Sequence, residues 1–261
     1  RNPGDAALSA DGSRVYVPNQ GSNDVSAIDT ASDRVIATVK VGKIPATLRL
    51  SPDGKTAWVT NYGDNTIQAI DLATLRAGKP IGVGHAPQQL AIAPDGGTLY
   101  VADQNDNTVT PVDVRSGKAL PPIPVGAKPG GIAISHDGRT AYVTNQGDNS
   151  ITPIDLASRT ARPAFPAGVQ PQGMAMSADD SLLYVADAGS DTLAVIDARS
   201  GARTRTIRAG LGPVAVALSA DGRELYAVLL GDNACVKISI DDPRADSVVE
   251  MGNAPLAIAL P

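Results

Sequence analysis

The sequence is poor in the residues that most often carry chemistry. It holds one cysteine, Cys235, which excludes an internal disulfide and any cysteine-rich metal knuckle. Only two histidines are present, His85 and His136, so a nucleophile in need of an imidazole base has few places to find one. Of 27 acidic residues, Glu224 and Glu250 are the only glutamates. Aspartate, a residue of turns and strand ends, carries nearly all the negative charge, which argues against a helix-rich fold. No run of lysine or arginine stands out and the net charge is −5, so the electrostatic footprint of a nucleic-acid binder is missing. No apolar stretch approaches the roughly 20 residues needed to cross a bilayer as a helix. No charged-then-apolar leader opens the chain, which reads as soluble; its start at Arg1 rather than methionine leaves open whether a leader has been removed.

What is present is a strict period. Gly42, Gly84, Gly126, Gly168, Gly210 and Gly252 are each 42 residues from the next, and Tyr16, Trp58, Tyr100, Tyr142, Tyr184 and Tyr226 repeat at the same spacing. Such self-similarity marks a repeat array. In the second unit, Pro45-Ala46-Thr47-Leu48-Arg49-Leu50 reads as a strand, A, ending in the turn Ser51-Pro52-Asp53-Gly54. Thr56-Ala57-Trp58-Val59-Thr60 follows as strand B and is closed by Asn61-Tyr62-Gly63-Asp64-Asn65. Residues 66–71 alternate as strand C, and residues 80–83 read as strand D. Four short strands per unit, with an aromatic row that needs a neighbour to cover it, predict an all-β β-propeller of four-stranded blades. The expected repeats are 1–42, 43–84, 85–126, 127–168, 169–210 and 211–252, six complete blades in a single domain spanning 1–261. Residues 253–261 have the form of an extra inner strand, expected either to close the ring or to begin a seventh blade of a truncated protein.

The units read Tyr16-Val17-Pro18-Asn19, Trp58-Val59-Thr60-Asn61, Tyr100-Val101-Ala102-Asp103, Tyr142-Val143-Thr144-Asn145 and Tyr184-Val185-Ala186-Asp187, each preceded by Ser-Pro-Asp-Gly or a variant. These resemble the YVTN β-propeller repeats of surface-layer and secreted proteins. The sixth unit departs, with Tyr226-Ala227-Val228-Leu229-Leu230. The resemblance implies an extracytoplasmic location, whether periplasm, secreted or cell surface. It leaves the activity open, since similar propellers include adhesion modules, a periplasmic DNA-binding protein, lactonases and an antibiotic lyase.

Strand direction alternates within a blade, so B-to-C and D-to-A loops share one face and the other two loops share the opposite face. The A-to-B turns, with Asp11-Gly12, Asp53-Gly54, Asp95-Gly96, Asp137-Gly138 and Asp221-Gly222, recur throughout, Asp180 replacing glycine in the fifth. They are expected to maintain the fold. The other face varies, with Arg1, Lys43, His85, Lys128, Gln170 and Asn253 on the D-to-A loops and Asn19, Tyr62, Gln104, Gln146 and Asp187 on the B-to-C loops. Two patterns imitate known sites. Asp103, Asn105 and Asn107 match the start of a calcium loop, but Thr108 and Val114 stand where glycine and glutamate are needed. Gly210, Gly212 and Ala215 imitate a dinucleotide fingerprint but enter a strand in register with the other repeats, not a helix. His85 and His136 fall on opposite faces and are not expected to share a metal, and no cofactor is implied. Cys235, in strand C, is expected to be a small core side chain.

One row has an exception. The inner strand reads Ala7, Arg49, Ala91, Ala133, Ala175, Ala217 and Ala259, so Arg49 must be solvated or paired. Either it reaches solvent without a partner, or it lies near Asp5, Thr47 and Gln89 and helps to hold an anion. The expected function is a non-catalytic binding module that uses the variable face, through Lys43, Arg49, Tyr62, His85, Gln89, Gln104, Lys128, Gln146, Gln170 and Asp187, to hold a protein partner or small ligand. The alternative is a propeller enzyme of lyase or lactonase type at the same face, with His85 as acid or base and Arg49 polarising its substrate.

Overall fold

Thr, Val, Ile and Tyr dominate the segments between the aspartate and glycine turns, and in the structure, a computed structural model, those segments are strands. Residues 3–242, 245–252 and 255–258 are described. In blade 2, Pro45–Leu50, Thr56–Asn61 and Thr66–Asp71 form an antiparallel meander in which Arg49 faces Trp58, and Asn61 faces Thr66. The turn between the first two is closed by the Gly54 amide on the Ser51 carbonyl (2.8 Å), with Gly54 at φ +67°. The Asp53 carboxylate accepts from the Ser51 hydroxyl and the Lys55 amide. Equivalent bonds hold Asp11, Asp137, Asp179 and Asp221, and they keep these carboxylates below the usual range, Asp11 and Asp179 at about 2.

Six such sheets follow one another along the chain, and the described residues contain no helix. The protein is a six-bladed β-propeller of four-stranded antiparallel blades. Strand D comes in two forms. It is continuous in blades 1, 5 and 6, as Arg34–Lys40, Arg203–Arg208 and Ala245–Glu250. In blades 2, 3 and 4 it is split, as Arg76–Ala77 with Ile81–Gly82, Lys118–Ala119 with Ile123–Pro124, and Thr160–Ala161 with Phe165–Pro166. The expected strand over residues 80–83 is therefore only the second half of the real one. Pro80, Pro121, Pro122 and Pro163 lie in the breaks, and proline has no N–H to give to a ladder.

The chain divides into two compact units, Arg1–Pro124 and Val125–Leu260, that is, blades 1–3 and blades 4–6. Within each, the aromatic of one blade packs on the next. Tyr16 clusters with Leu48, Ala57 and Val59, and Trp58 with Leu90, Leu99 and Val101. In the second unit, Tyr142 joins Leu183 and Val185, its hydroxyl donating to the Ala198 carbonyl (3.1 Å), and Tyr184 joins Leu225 and Ala227. Tyr226 corrects the expectation of a uniformly buried row. It is half-buried, and its hydroxyl donates to Glu224. The expected closing strand is not formed over residues 255–258, which belong to no strand, and the remainder of it lies outside the described residues.

Candidate functional site

The loop face is organised by a hydrogen-bond clasp that its sequence conceals. The D-to-A loops present backbone amides to it, two in succession in three of the loops. In the first unit, Lys43 N–H donates to Asp64 (2.7 Å) and Ile44 N–H to Asn23 (2.9 Å). One blade on, His85 N–H donates to Asp106 (2.7 Å) and Ala86 N–H to Asn65 (3.0 Å). The second unit repeats the device with Ala127 on Asp148, Gln170 on Asn149, Leu211 on Asp232 and Gly212 on Asp191. The aspartate that takes the first amide comes from the blade that follows the loop, and the acceptor of the second, an asparagine or in one case Asp191, from the blade that precedes it, so each pair stitches two blades together. The loop residue between them is held in the left-handed region, at φ 51° for Ile44, 56° for Ala86, 52° for Lys128 and 51° for Gln170. For a β-branched residue such as Ile44 that conformation is strained. The clasp aspartates and asparagines of this face are thus engaged with backbone.

What remains to face a ligand in the first unit is a set of donors. The Lys43 side chain is 73% exposed, with its ammonium 3.7 Å from Asp64. The His85 ring is 70% exposed, and its Nδ1 lies 2.9 Å from an Asp106 oxygen, which orients the ring and leaves Nε2 outside the pair. Bonds from the His85 amide and ring hold Asp106 below its usual range. The Tyr62 hydroxyl donates to Gln104 Oε1 (3.4 Å). A histidine oriented by a carboxylate is the geometry of a general base. The clasp explains the carboxylate without one, because the same position holds a bare amide over Lys43.

Arg49 is not an unpaired charge. Its guanidinium donates to Asp5 and to the Leu48 carbonyl (2.8 Å), and the Asp5 amide in turn donates to Ala46 (3.1 Å), tying the N-terminal segment to the inner strand of blade 2. Of the polar row expected beside it, Asp5 is its partner. Thr47 is buried, its hydroxyl donating to the Gln88 carbonyl (2.9 Å), and Gln89 is half-buried on the inner strand of blade 3. An anion pocket built on Arg49 is not what the geometry offers, since Asp5 already neutralises it.

In the second unit, Lys128 and Gln170 are exposed on their loop, and Gln146 Nε2 donates to Gln172 (2.8 Å). Asp187 does not reach the face. It is fully buried, accepts from the Gly168 amide (3.1 Å), and has Arg203 3.9 Å away. Burial pushes it up to about 6 in spite of that arginine. Asp103, its counterpart in blade 3, is likewise buried and pushed up to about 6. The reason lies in the pleat: these residues end strand B two positions after Val101 and Val185 and share their inward side. Arg1 and Asn253 lie outside the described residues. On the A-to-B turns, His136 pairs with Asp180 (2.6 Å), the residue that stands at φ 60° in place of glycine. Cys235 is half-buried and its thiol is pushed up by burial. Among the described residues no three His, Cys, Asp or Glu side chains are grouped so as to hold a metal ion.

The fold is a β-propeller whose exposed donors Lys43 and His85 sit on loops. The model of the YNCE-like β-propeller family matches residues 1–163, and the chain belongs to that family. The model of the 7-bladed β-propeller lactonases matches residues 115–218. Among solved structures, a functionally unknown protein from Desulfotomaculum acetoxidans is similar with a TM-score of 0.82 and 19% identity, over 98% of this chain and 87% of that one. Kuenenia stuttgartiensis hydrazine synthase is similar with a TM-score of 0.66 and 21% identity, over 91% of this chain and 95% of that one. At these identities the likeness is one of fold. No curated protein matches.

Proposed function

We propose that this protein is a binding propeller acting outside the cytoplasm, and that the loop face of blades 1–3 holds an anionic or carbonyl-rich ligand or partner surface. The observation that carries the reading is the division of labour on that face. Aspartate and asparagine are bonded to backbone amides, while the Lys43 and His85 side chains are largely exposed on the stitched loops, with the half-buried Tyr62 bonded to Gln104 beside them. Donors fixed to a rigid frame suit recognition of oxygen-rich groups.

The test is a thermal-shift survey of di- and tricarboxylates and anionic glycans at constant ionic strength. At least one is expected to raise the melting temperature of the wild type, and the gain is expected to vanish in Lys43→Ala/His85→Ala. Both residues are exposed, so the double variant should fold normally. A survey with no response, or a response that survives the double substitution, sinks the proposal. Arg49→Ala separates fold from binding: it is expected to lower stability by roughly 1–3 kcal/mol through the stranded Asp5 carboxylate, with ligand affinity retained.

A second reading, an enzyme of lactonase or lyase type, draws support from the lactonase family match over residues 115–218. His85 and Arg49 fall outside that stretch, and Arg49 is bonded to Asp5. Hydrolysis of γ- and δ-lactones above the blank rate, abolished by His85→Ala, would favour this reading over binding alone.

A further inference from the structure

Between blades 2 and 3, beside the His85–Asp106 pair and with Asp106 in its wall, lies a cleft of about 380 Å³. Gly84, Thr108, Thr110, Ala119 and Leu120 are among the residues that line it. Beneath them sits Asp103. The Thr110 hydroxyl donates to its Oδ2 (2.5 Å), Thr108 approaches the same oxygen (3.3 Å), and Oδ1 is buried without a hydrogen-bond partner. No cation of the described residues lies within 4 Å of it. A buried carboxylate oxygen without a partner is costly, and a protein normally supplies one.

One oxygen at this place is without a hydrogen-bond partner in blades 2, 4 and 5 as well, at Asn61, Asn145 and Asp187, so what sets Asp103 apart is its charge, and the repeats show what faces that charge elsewhere. In blade 5 the equivalent carboxylate, Asp187, faces the guanidinium of Arg203, which stands opposite Ile196 on strand D. The residue at that place in blade 3 is Ala119, opposite Val112, and it lines the cleft. In blade 2 the residue in place of Asp103 is the neutral Asn61. There Gln68 bonds Asn61 (3.0 Å), the Gly42 amide (2.8 Å) and the Gly78 carbonyl (3.0 Å). Its counterpart in blade 3 is the shorter Thr110, so the Leu120 carbonyl, which corresponds to that of Gly78, meets no such carboxamide. Blade 3 therefore combines the charge of blade 5 with neither the arginine of blade 5 nor the long amide of blade 2.

We propose that this cleft is a binding site for an alkylguanidinium group, with Asp103 as counter-ion and the Leu120 carbonyl and Thr110 hydroxyl as further acceptors. The planar, multi-donor cation matches a carboxylate and a carbonyl together, and the chain itself uses that cation at the equivalent place in blade 5.

The experiment is an NMR titration of the intact chain with methylguanidinium, with methylammonium at equal ionic strength as comparator. Saturable shifts are expected at the amides of Gly84, Thr108 and Thr110, at lower concentration for methylguanidinium than for methylammonium. In Asp103→Asn the affinity should fall at least about tenfold, the loss of one charge-assisted pair. This variant should fold, since Asn61 and Asn145 occupy the same place in their blades. In Ala119→Arg, at an exposed position, the new guanidinium should fill the cleft and abolish the titration. Absence of saturable shifts, equal response to both cations, or unchanged affinity in both variants would overturn the proposal.

Discussion

Asp103→Asn should make the protein more stable at neutral pH, and the gain should disappear as the solution is acidified. Asp103 is held at about 6 in the folded protein, chiefly by burial and against bonds from Thr110 and Thr108, whereas a free aspartate lies near 3.8. Between those values the folded state binds the extra proton, so stability contributed by this group is present below pH 4 and lost as pH rises through 6. The wild type therefore carries a penalty at pH 7 that an asparagine does not. Two units of displacement correspond to at most about 3 kcal/mol, reduced by whatever water reaches the cleft. Urea denaturation at pH 7.5 and pH 4 measures both arms. A variant less stable than wild type at pH 7.5, or equally more stable at both pH values, would show that burial does not control this carboxylate. The asparagine should fit without rearrangement: Asn145 donates to Ser150 and Thr152 (both 2.9 Å), which correspond to Thr108 and Thr110. That the chain keeps an aspartate where asparagine would be more stable is what a binding role for the carboxylate leads one to expect.

The period, the strands and the aromatic row were all legible in the sequence because each repeats six times, and the same physical demand recurs in every blade. Legibility failed where a residue acts through a neighbour 21 positions away. The pairs Asp64-Asn65, Asp106-Asn107 and Asp148-Asn149 recur at the 42-residue spacing, yet their composition fits any polar turn. Their real acceptor role is defined only when strand D returns beside them. Asp187, which ends the Tyr-Val-Ala-Asp motif at a strand terminus, reads from the sequence as a residue of the face. The period of two could have corrected this, since a residue two positions after a fully buried valine points inward with it. Arg49 was recognisable as an exception among alanines, and Asp5 was among its expected neighbours. What no pattern of residues disclosed is that the pair would be so close as to cancel its own charge.

The glycine row that first revealed the repeat has a physical cause, and it leads to the largest destabilisation expected of any single methyl group here. Five of the six, Gly42, Gly84, Gly126, Gly168 and Gly210, lie against the side chain that ends strand B of the following blade. A Cβ built on Gly42 would stand 2.6 Å from Asn61 Cγ, on Gly84 2.5 Å from Asp103 Cγ, on Gly126 2.5 Å from Asn145 Cγ, and on Gly168 1.9 Å from Asp187 Oδ2. Asp187 has nowhere to retreat, being fully buried and bonded to the amide of the same glycine. Gly168→Ala must then displace a carboxylate and break the bond that partly satisfies it, an overpacking cost of about 3 kcal/mol or more. Gly252 occupies the sixth place in the row, but a Cβ there would meet nothing within 4 Å among the described residues. Gly252→Ala should accordingly change stability by no more than about 0.5 kcal/mol. Denaturation midpoints of the two variants, measured side by side, decide the matter. If alanine proves equally harmless at both positions, close approach is not what keeps glycine at a spacing of 42, and the preference must come from the turn itself.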